Sequence, residues 1–215
     1  MDRFIAAAAD KIRDRDLVVS PLSGWACQHD MSNLVPYDGA YFDKCASYED
    51  GDIAVRINAG RIALVDNFVG PLARVLDTGI GSGEFIRKRA GPTWGRDINP
   101  NAIEWLHNRG LWADDPTDFA GFTFWDVLEH VPEPETYLAA IPVGRHLFAS
   151  LPIFDDVWKI RKSKHYRPNE HLYYWTLSGF TAWMDAHGYR RLWVGDFETR
   201  AGRDSILSFA FIRVR

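Results

Sequence analysis

In residues 74–152, short apolar runs alternate with segments of helical spacing. Residues 74–77, RVLD, are a buried-strand pattern, and residues 83–91, GEFIRKRAG, continue with helical spacing. The same alternation predicts further strands at 93–98, 110–115, 121–127 and 145–152, and helices at 99–110 and 132–141. Strands that alternate with short helices are typical of an α/β protein with a mostly parallel, doubly wound sheet.

The pattern changes toward both ends of the chain. After residue 175 it predicts a helix over 176–189, then two strands over 190–198 and 205–214 that pair through the intervening loop.

The N-terminal part contains both helical and irregular patterns. Apolar spacing predicts amphipathic helices over 2–15 and 52–68, whereas Pro, Gly, Asn and Asp are spread through residues 20–50 and predict irregular chain. Gly70-Pro71 ends the second helix. We therefore expect an N-terminal helical cap over 1–70 and a core over 71–215.

Composition narrows the class of protein. The chain has 215 residues, 47% of them hydrophobic, and a formal net charge of −4, which gives no global sign of nucleic-acid or membrane-surface binding. Two cysteines, Cys27 and Cys45, exclude a disulfide framework and a four-cysteine zinc site. The N-terminus is too short and too charged for a signal peptide or a spanning helix, so we expect a cytoplasmic protein without a membrane partner.

The strongest chemical signal is the turn after the first core strand. Asp77 closes that strand, and Gly79, Gly81 and Gly83 follow at alternate positions. Glycines there allow positive φ angles and let a ligand approach the backbone. Because position 84 is Glu, the pattern is not the G-x-G-x-x-G of a dinucleotide site. It favours an adenosine-type ligand with a small zwitterionic tail, and it disfavours a nicotinamide oxidoreductase.

A second acid, Asp97, ends the next strand. Ligands bind beyond the carboxyl ends of parallel strands, where a carboxylate accepts hydrogen bonds from both hydroxyls of a ribose. Such charge-assisted bonds contribute roughly 1.5–3 kcal/mol each.

Four segments, VLDTGIGSGEF, GRDINPNAI, FWDVLEHV and HLFASLP, resemble the successive motifs of class I S-adenosylmethionine-dependent methyltransferases. They are most similar to the small-molecule branch that includes the ubiquinone-biosynthesis O-methyltransferases. The resemblance covers about residues 72–152. It implies a Rossmann-like fold with a mostly parallel seven-stranded sheet and an antiparallel last strand.

The resemblance also implies residue roles in binding S-adenosylmethionine. The three glycines line the methionine part, and Asp77 anchors its amino group. Asp97 holds the ribose, Ile98 packs on the adenine, and Asp114 or Asp115 faces the adenine amine. Asp126 and Val127 lie beside the sulfonium.

A general base helps methyl transfer when the acceptor is a hydroxyl, and three histidines are candidates: His130, His165 and His171. Asp126, Glu129 and His130 also form D-x-x-E-H, which resembles the E-x-x-E-H metal site of small-RNA 3′-terminal ribose methyltransferases and of some quinone O-methyltransferases. A later histidine would complete that set for magnesium or manganese. Because Asp in the first position shortens the reach, we expect no metal.

Residues 153–175 are basic and aromatic, and we expect them to form a substrate lid. Lys164, Tyr166 and Arg167 would bind an anionic ring, and Tyr37 and Tyr41 would close the cleft from the N-terminal side.

We therefore expect a methyltransferase that acts on a small anionic or hydroxylated molecule. Nucleic acid is disfavoured except as a nucleotide or a chain end, since the chain has no [DN]-P-P-[YF] segment after the fourth strand and no Pro-Cys pair. Two alternatives stay open: a metal-assisted O-methyltransferase of a ribose or catechol hydroxyl, and a cofactor-binding module without turnover.

Overall fold

The computed structural model describes residues 7–30, 32, 34–36, 38–47 and 51–215, with the backbone alone described at residue 45. Its N-terminal part begins with three short strands that pair antiparallel in chain order: β1 (Ile12–Asp14), β2 (Leu17–Ser20) and β3 (Trp25–Gln28). Two helices follow, α1 (Gly39–Ala46) and α2 (Asp52–Val69).

This three-stranded meander corrects two expectations. The helix predicted over 2–15 is wrong over residues 12–14, which are strand, although residue 7 is helical; residues 2–6 lie outside the described residues. The segment predicted as irregular, 20–50, contains β3 and α1. Tertiary pairing outweighs the weak helical spacing here. The helix predicted over 52–68 is confirmed as α2.

The rest of the chain supplies β4 (Val75–Thr78), α3 (Glu84–Lys88), β5 (Thr93–Arg96), α4 (Pro100–His107), β6 (Gly121–Trp125), α5 (Pro134–Ala140), β7 (His146–Phe154), a 3₁₀ helix (Val157–Lys162), β8 (Tyr173–Thr176), α6 (Leu177–Ala186), β9 (Tyr189–Gly195), α7 (Phe197–Ala201) and β10 (Ile206–Arg213). The strand predicted over 110–115 is reduced to one bridge between Gly95 and Trp112. Within the described ranges, no helix combines the length and apolar composition needed to cross a membrane.

The central sheet has the order β5–β4–β6–β7–β10–β9. Its first four strands are mutually parallel, and β10 lies antiparallel between β7 and β9. The expected Rossmann-like fold with an antiparallel last strand is therefore confirmed, but the described residues form a sheet of ten strands and not the expected seven. The end of β7 also pairs parallel with β8, which pairs antiparallel with β3, so the meander continues the sheet.

Both faces of the sheet are covered, as the apolar runs predict. Along β7, Leu147 and Ala149 pack into the larger core, whereas Phe148 packs on the other face against Val65 of α2. Helix α2 also contacts α7. The division of the chain at residue 70 stays a prediction.

Candidate active site

A cavity of about 800 Å³ lies at the carboxyl ends of the parallel strands. Its walls come from the turns after β4, β5 and β6, from residues 34–36 and from Tyr41. This is the edge at which ligands bind in open α/β sheets. Predicted residues in the lining are Gly79, Gly81, Asp97, Ile98, Asp126, Val127, His130 and Tyr41. Residues that the sequence did not indicate are Leu34, Val35, Pro36, Thr78, Arg96, Asn99, Trp112, Trp125, Val131, Pro132 and Tyr137.

The glycine turn presents bare backbone to this cavity. Gly79 and Gly81 have φ angles of 74° and 56°, a region that residues with a Cβ rarely adopt. A Cβ at Gly79 would come within 2.6 Å of a methyl group of Val127. Gly83, with φ 82°, instead caps the start of α3 and faces the ring of Trp105. The turn thus brings two of its three glycines to the cavity wall.

Asp77 lies below the glycine turn and is only 1% exposed. Its Oδ1 accepts a hydrogen bond of 2.5 Å from the hydroxyl of Thr123 on β6. Burial raises the pKa of Asp77 to about 7, although this hydrogen bond acts in the opposite direction. The charged form of Asp77 is therefore costly until a cation approaches.

Asp97 and Ile98 form the wall after β5. Oδ1 of Asp97 accepts a hydrogen bond of 2.8 Å from the backbone amide of Asn99, and burial raises the pKa of this carboxyl. Ile98 is 60% exposed and lines the cavity, so its apolar side chain is open to a ligand there. The Asn99 side chain donates to the carbonyl of Asp38, at 2.8 Å, and ties this wall to the segment before α1.

Asp114 and Asp115 lie just outside the lining. Oδ1 of Asp114 accepts a hydrogen bond from Nε1 of Trp112, at 3.1 Å, and it is the indole that lines the cavity. Asp115 accepts from the amide of Thr117. A contact of either carboxylate with an adenine amine stays a prediction.

Asp126 belongs to a network of four charged side chains. Its carboxylate pairs with Arg61 of α2 at 3.0 Å and with Arg203 at 2.7 Å, and both arginines also pair with Glu198 of α7. Glu198 is fully buried. Partial burial alone would raise the pKa of Asp126, but the two guanidinium groups hold it well below its usual range. Sequence spacing gave no signal for this network.

Glu129, His130 and His171 form a second cluster beside the cavity. His130 lines the cavity, and the ring of His171 meets it edge-on with centroids 4.6 Å apart. Burial lowers the pKa of both histidines, that of His171 to about 3. The same effect raises the pKa of Glu129 well above its usual range.

The remaining predicted residues lie elsewhere. Nε2 of His165 is hydrogen-bonded to the carbonyl of Asp204 at 2.7 Å. The side chains of the predicted lid also have partners: Lys164 pairs with Asp204, Tyr166 packs near Tyr174, and Arg167 pairs with Glu170. None of these lid residues is in the cavity lining. Their roles in catalysis and substrate binding stay predictions, and Tyr37 lies outside the described residues.

Solved structures share this fold at low sequence identity. The 1,6-didemethyltoxoflavin N1-methyltransferase of Burkholderia thailandensis is 17% identical, with a TM-score of 0.57 over 96% of this chain and 100% of its own. A possible histamine N-methyltransferase of Thermotoga maritima is 12% identical, with a TM-score of 0.57 over 81% and 96% of the two chains. An S-adenosylmethionine-dependent methyltransferase of Archaeoglobus fulgidus is 14% identical, with a TM-score of 0.56 over 80% and 99%. Among curated proteins, none matches significantly.

The sequence itself matches the profile of the methyltransferase domain over residues 54–192, more than half of the chain. The match decides against a nicotinamide oxidoreductase, while membership of the ubiquinone branch stays a prediction. Together with the glycine turn and the strand order of the sheet, it shows that the chain belongs to the class I S-adenosylmethionine-dependent methyltransferases.

Proposed function

We propose that the cavity binds S-adenosylmethionine and a small acceptor side by side, and that the protein transfers a methyl group between them. The observation that carries the proposal is the convergence of three turns, after β4, β5 and β6, on one cavity of about 800 Å³. When bound, S-adenosylmethionine supplies an electrophilic methyl group on a positively charged sulfur.

The residues present fit this cofactor. Gly79 and Gly81 line the cavity with bare backbone, in conformations that residues with a Cβ rarely adopt. Asp97 lies in the lining, where its carboxylate would accept hydrogen bonds from ribose hydroxyls, and the exposed side chain of Ile98 would cover an aromatic base. Asp77, whose pKa burial raises to about 7, gains a stabilising partner when an ammonium group approaches.

The other part of the lining favours a small, largely apolar acceptor. It consists mainly of apolar and aromatic side chains, including Leu34, Val35, Tyr41 and Tyr137. Arg96 also lines the cavity, but its guanidinium donates to backbone carbonyls of Ala113 and Asp114. A cavity that excludes water and aligns two reactants supplies much of the rate of a displacement reaction.

Support for an anionic acceptor is weaker. Lys164 and Arg167, predicted to bind an anion, have acidic partners, and Arg161 of the same segment pairs with Asp14 and Asp16. The Burkholderia neighbour, whose structure holds 1,6-didemethyltoxoflavin, is in line with an acceptor of low molecular weight.

Calorimetric titration of the full chain with S-adenosylmethionine and S-adenosylhomocysteine tests the proposal. We expect binding, and we expect Asp97→Asn to weaken it about 10- to 100-fold, since charge-assisted hydrogen bonds contribute roughly 1.5–3 kcal/mol each. Asp118→Asn is the matched control, because Asp118 is exposed and precedes β6 at the opposite edge of the sheet. No binding by the unmodified protein, or equal affinity in both variants, would overturn the proposal.

A further inference from the structure

Glu129 presents a buried carboxylate that no described residue satisfies. The residue is 1% exposed, and neither of its carboxylate oxygens has a hydrogen-bond partner among the described residues. Buried carboxyl groups without a partner are costly and therefore rare in folded proteins. The position of Glu129, beside His130 at the wall of the cavity, suggests that its partner is a ligand that comes from the cavity.

Two imidazole rings beside Glu129 are oriented by backbone carbonyls. Nδ1 of His130 is hydrogen-bonded to the carbonyl of Glu170 at 2.9 Å, and Nδ1 of His171 to the carbonyl of His165 at 2.8 Å. Because a carbonyl oxygen can only accept a hydrogen bond, each Nδ1 carries the proton, and each Nε2 has a lone pair that can bind a metal ion. Histidines that bind metals are fixed in this way, by a hydrogen bond from the other ring nitrogen.

The three side chains converge on one point. One potential ligand atom from each lies within 4.8 Å of the other two, and Nε2 of His130 is 3.8 Å from Oε1 of Glu129. Ligand bonds of about 2.0–2.2 Å to a single ion leave neighbouring ligand atoms about 3–4 Å apart. Small side-chain movements would therefore bring the three ligand atoms to coordination distance. The amide of Leu172 donates to the carbonyl of Glu129 at 2.7 Å, which holds His171 next to this carboxylate.

We propose that Glu129, His130 and His171 bind a divalent transition-metal ion at the wall of the cavity. Two imidazoles and one carboxylate suit first-row transition metals, whereas magnesium and calcium prefer oxygen ligands alone. Three protein ligands leave coordination positions open, and His130 gives them access to the cavity. The inference does not depend on the identity of the cofactor or of the acceptor.

The ligand set differs from the one that the sequence motif suggests. Asp126, the first acid of D-x-x-E-H, is held by Arg61 and Arg203, which compete with any metal for its two oxygens. His171, from a segment distant in sequence, supplies the later histidine that would complete the motif. Without Asp126, the protein ligands are one carboxylate and two imidazoles.

The test uses the full chain, freed of metals by a chelator and titrated with Co²⁺. We expect one equivalent to bind, with a visible absorption band of protein-bound Co²⁺ and an increase in Tm. His171→Gln and Glu129→Gln should each weaken binding at least tenfold. His187→Gln is the matched control, because His187 also has Nδ1 on a backbone carbonyl, that of Trp183 at 2.8 Å, and lies outside the cavity lining.

Absence of Co²⁺ binding to the unmodified protein, or equal binding by His171→Gln and His187→Gln, would overturn the metal site. If Glu129→Gln fails to fold, His130→Gln at the cavity wall replaces it in the comparison. Titration of the same samples with S-adenosylhomocysteine separates the two proposals. If the protein binds S-adenosylhomocysteine but not Co²⁺, only the metal site is contradicted. If it binds Co²⁺ but not S-adenosylhomocysteine, only the proposed function is contradicted.

Discussion

Some acidic side chains of this protein are buried with few polar partners, and burial favours their neutral form. Asp77 is the clearest case, since only the hydroxyl of Thr123 is hydrogen-bonded to its carboxyl group in the described structure. A buried acid of this kind favours its protonated form, so the cost of ionising it falls on the folded state. Such a residue is positioned to respond to charge in the cavity above it.

Asp77 should make stability fall with rising pH. Its pKa is raised from an ordinary 3.8 to about 7, so its contribution is fully present below about pH 4 and is lost as the pH rises through 7. Asp77→Asn should remove this loss, on the order of 3 kcal/mol. Urea unfolding between pH 5 and 8 measures this loss of stability, with Asp118→Asn as the control for removal of an exposed charge. An unchanged pH dependence in Asp77→Asn would contradict the prediction.

Among the elements, helices α2 and α7 and strand β6 are joined by charges as well as by apolar packing. Arg61 and Arg203 each pair with both Asp126 and Glu198, which makes four ion pairs. The hydroxyl of Ser150 on β7 accepts a further hydrogen bond from Arg61 at 3.0 Å. Removing one member of a buried network leaves the others unpaired, which costs more than the loss of an exposed ion pair.

Glu198→Gln should therefore lower the free energy of unfolding by about 3 kcal/mol. The control lies on the same helical segment: Asp196 pairs with Arg200, and their side chains are 50% and 71% exposed. Asp196→Asn should change the free energy by less than about 1 kcal/mol. Urea unfolding of both variants at neutral pH gives the comparison. Similar losses in the two variants would mean that the network contributes no more than a surface pair.

The whole molecule is held together across the junction between the meander and the core. Trp25 on β3 pairs in register with Trp175 on β8, and both are fully buried in the larger core. Cys27, on the same strand, is also fully buried. The meander therefore contributes side chains to the core of the sheet that it extends, and we expect the two parts to unfold together.

The reactivity of the Cys27 thiol tests whether the meander and the core unfold together. Burial raises the pKa of this thiol to about 12, so it should react with a disulfide reagent only when the chain opens. In a Cys45→Ser variant, the free energy of opening obtained from Cys27 labelling should equal that of global unfolding by urea. A Cys27→Ser variant gives the background from Cys45. Labelling of Cys27 far faster than global unfolding would show that the meander opens on its own.

The core between residues 74 and 152 is predictable because its signals are local. Apolar runs, helical spacing and the glycines after Asp77 each act within one strand, helix or turn, so the carboxyl-edge site follows from their order. Strands β1, β2, β3 and β8 are not predictable in this way, because they are short and rich in neighbouring turn residues. Their stability comes from pairing with strands distant in sequence.

The sequence by itself determined the fold class, the family and the edge of the sheet at which the cavity lies. Local backbone chemistry specifies these features, as Gly79 and Asp97 illustrate. The tertiary structure alone decided which charges meet. It pairs Asp126 with Arg61 and Arg203, and it brings His171 to Glu129 and His130. Contacts between distant segments depend on how elements pack, and no spacing along the chain records that packing.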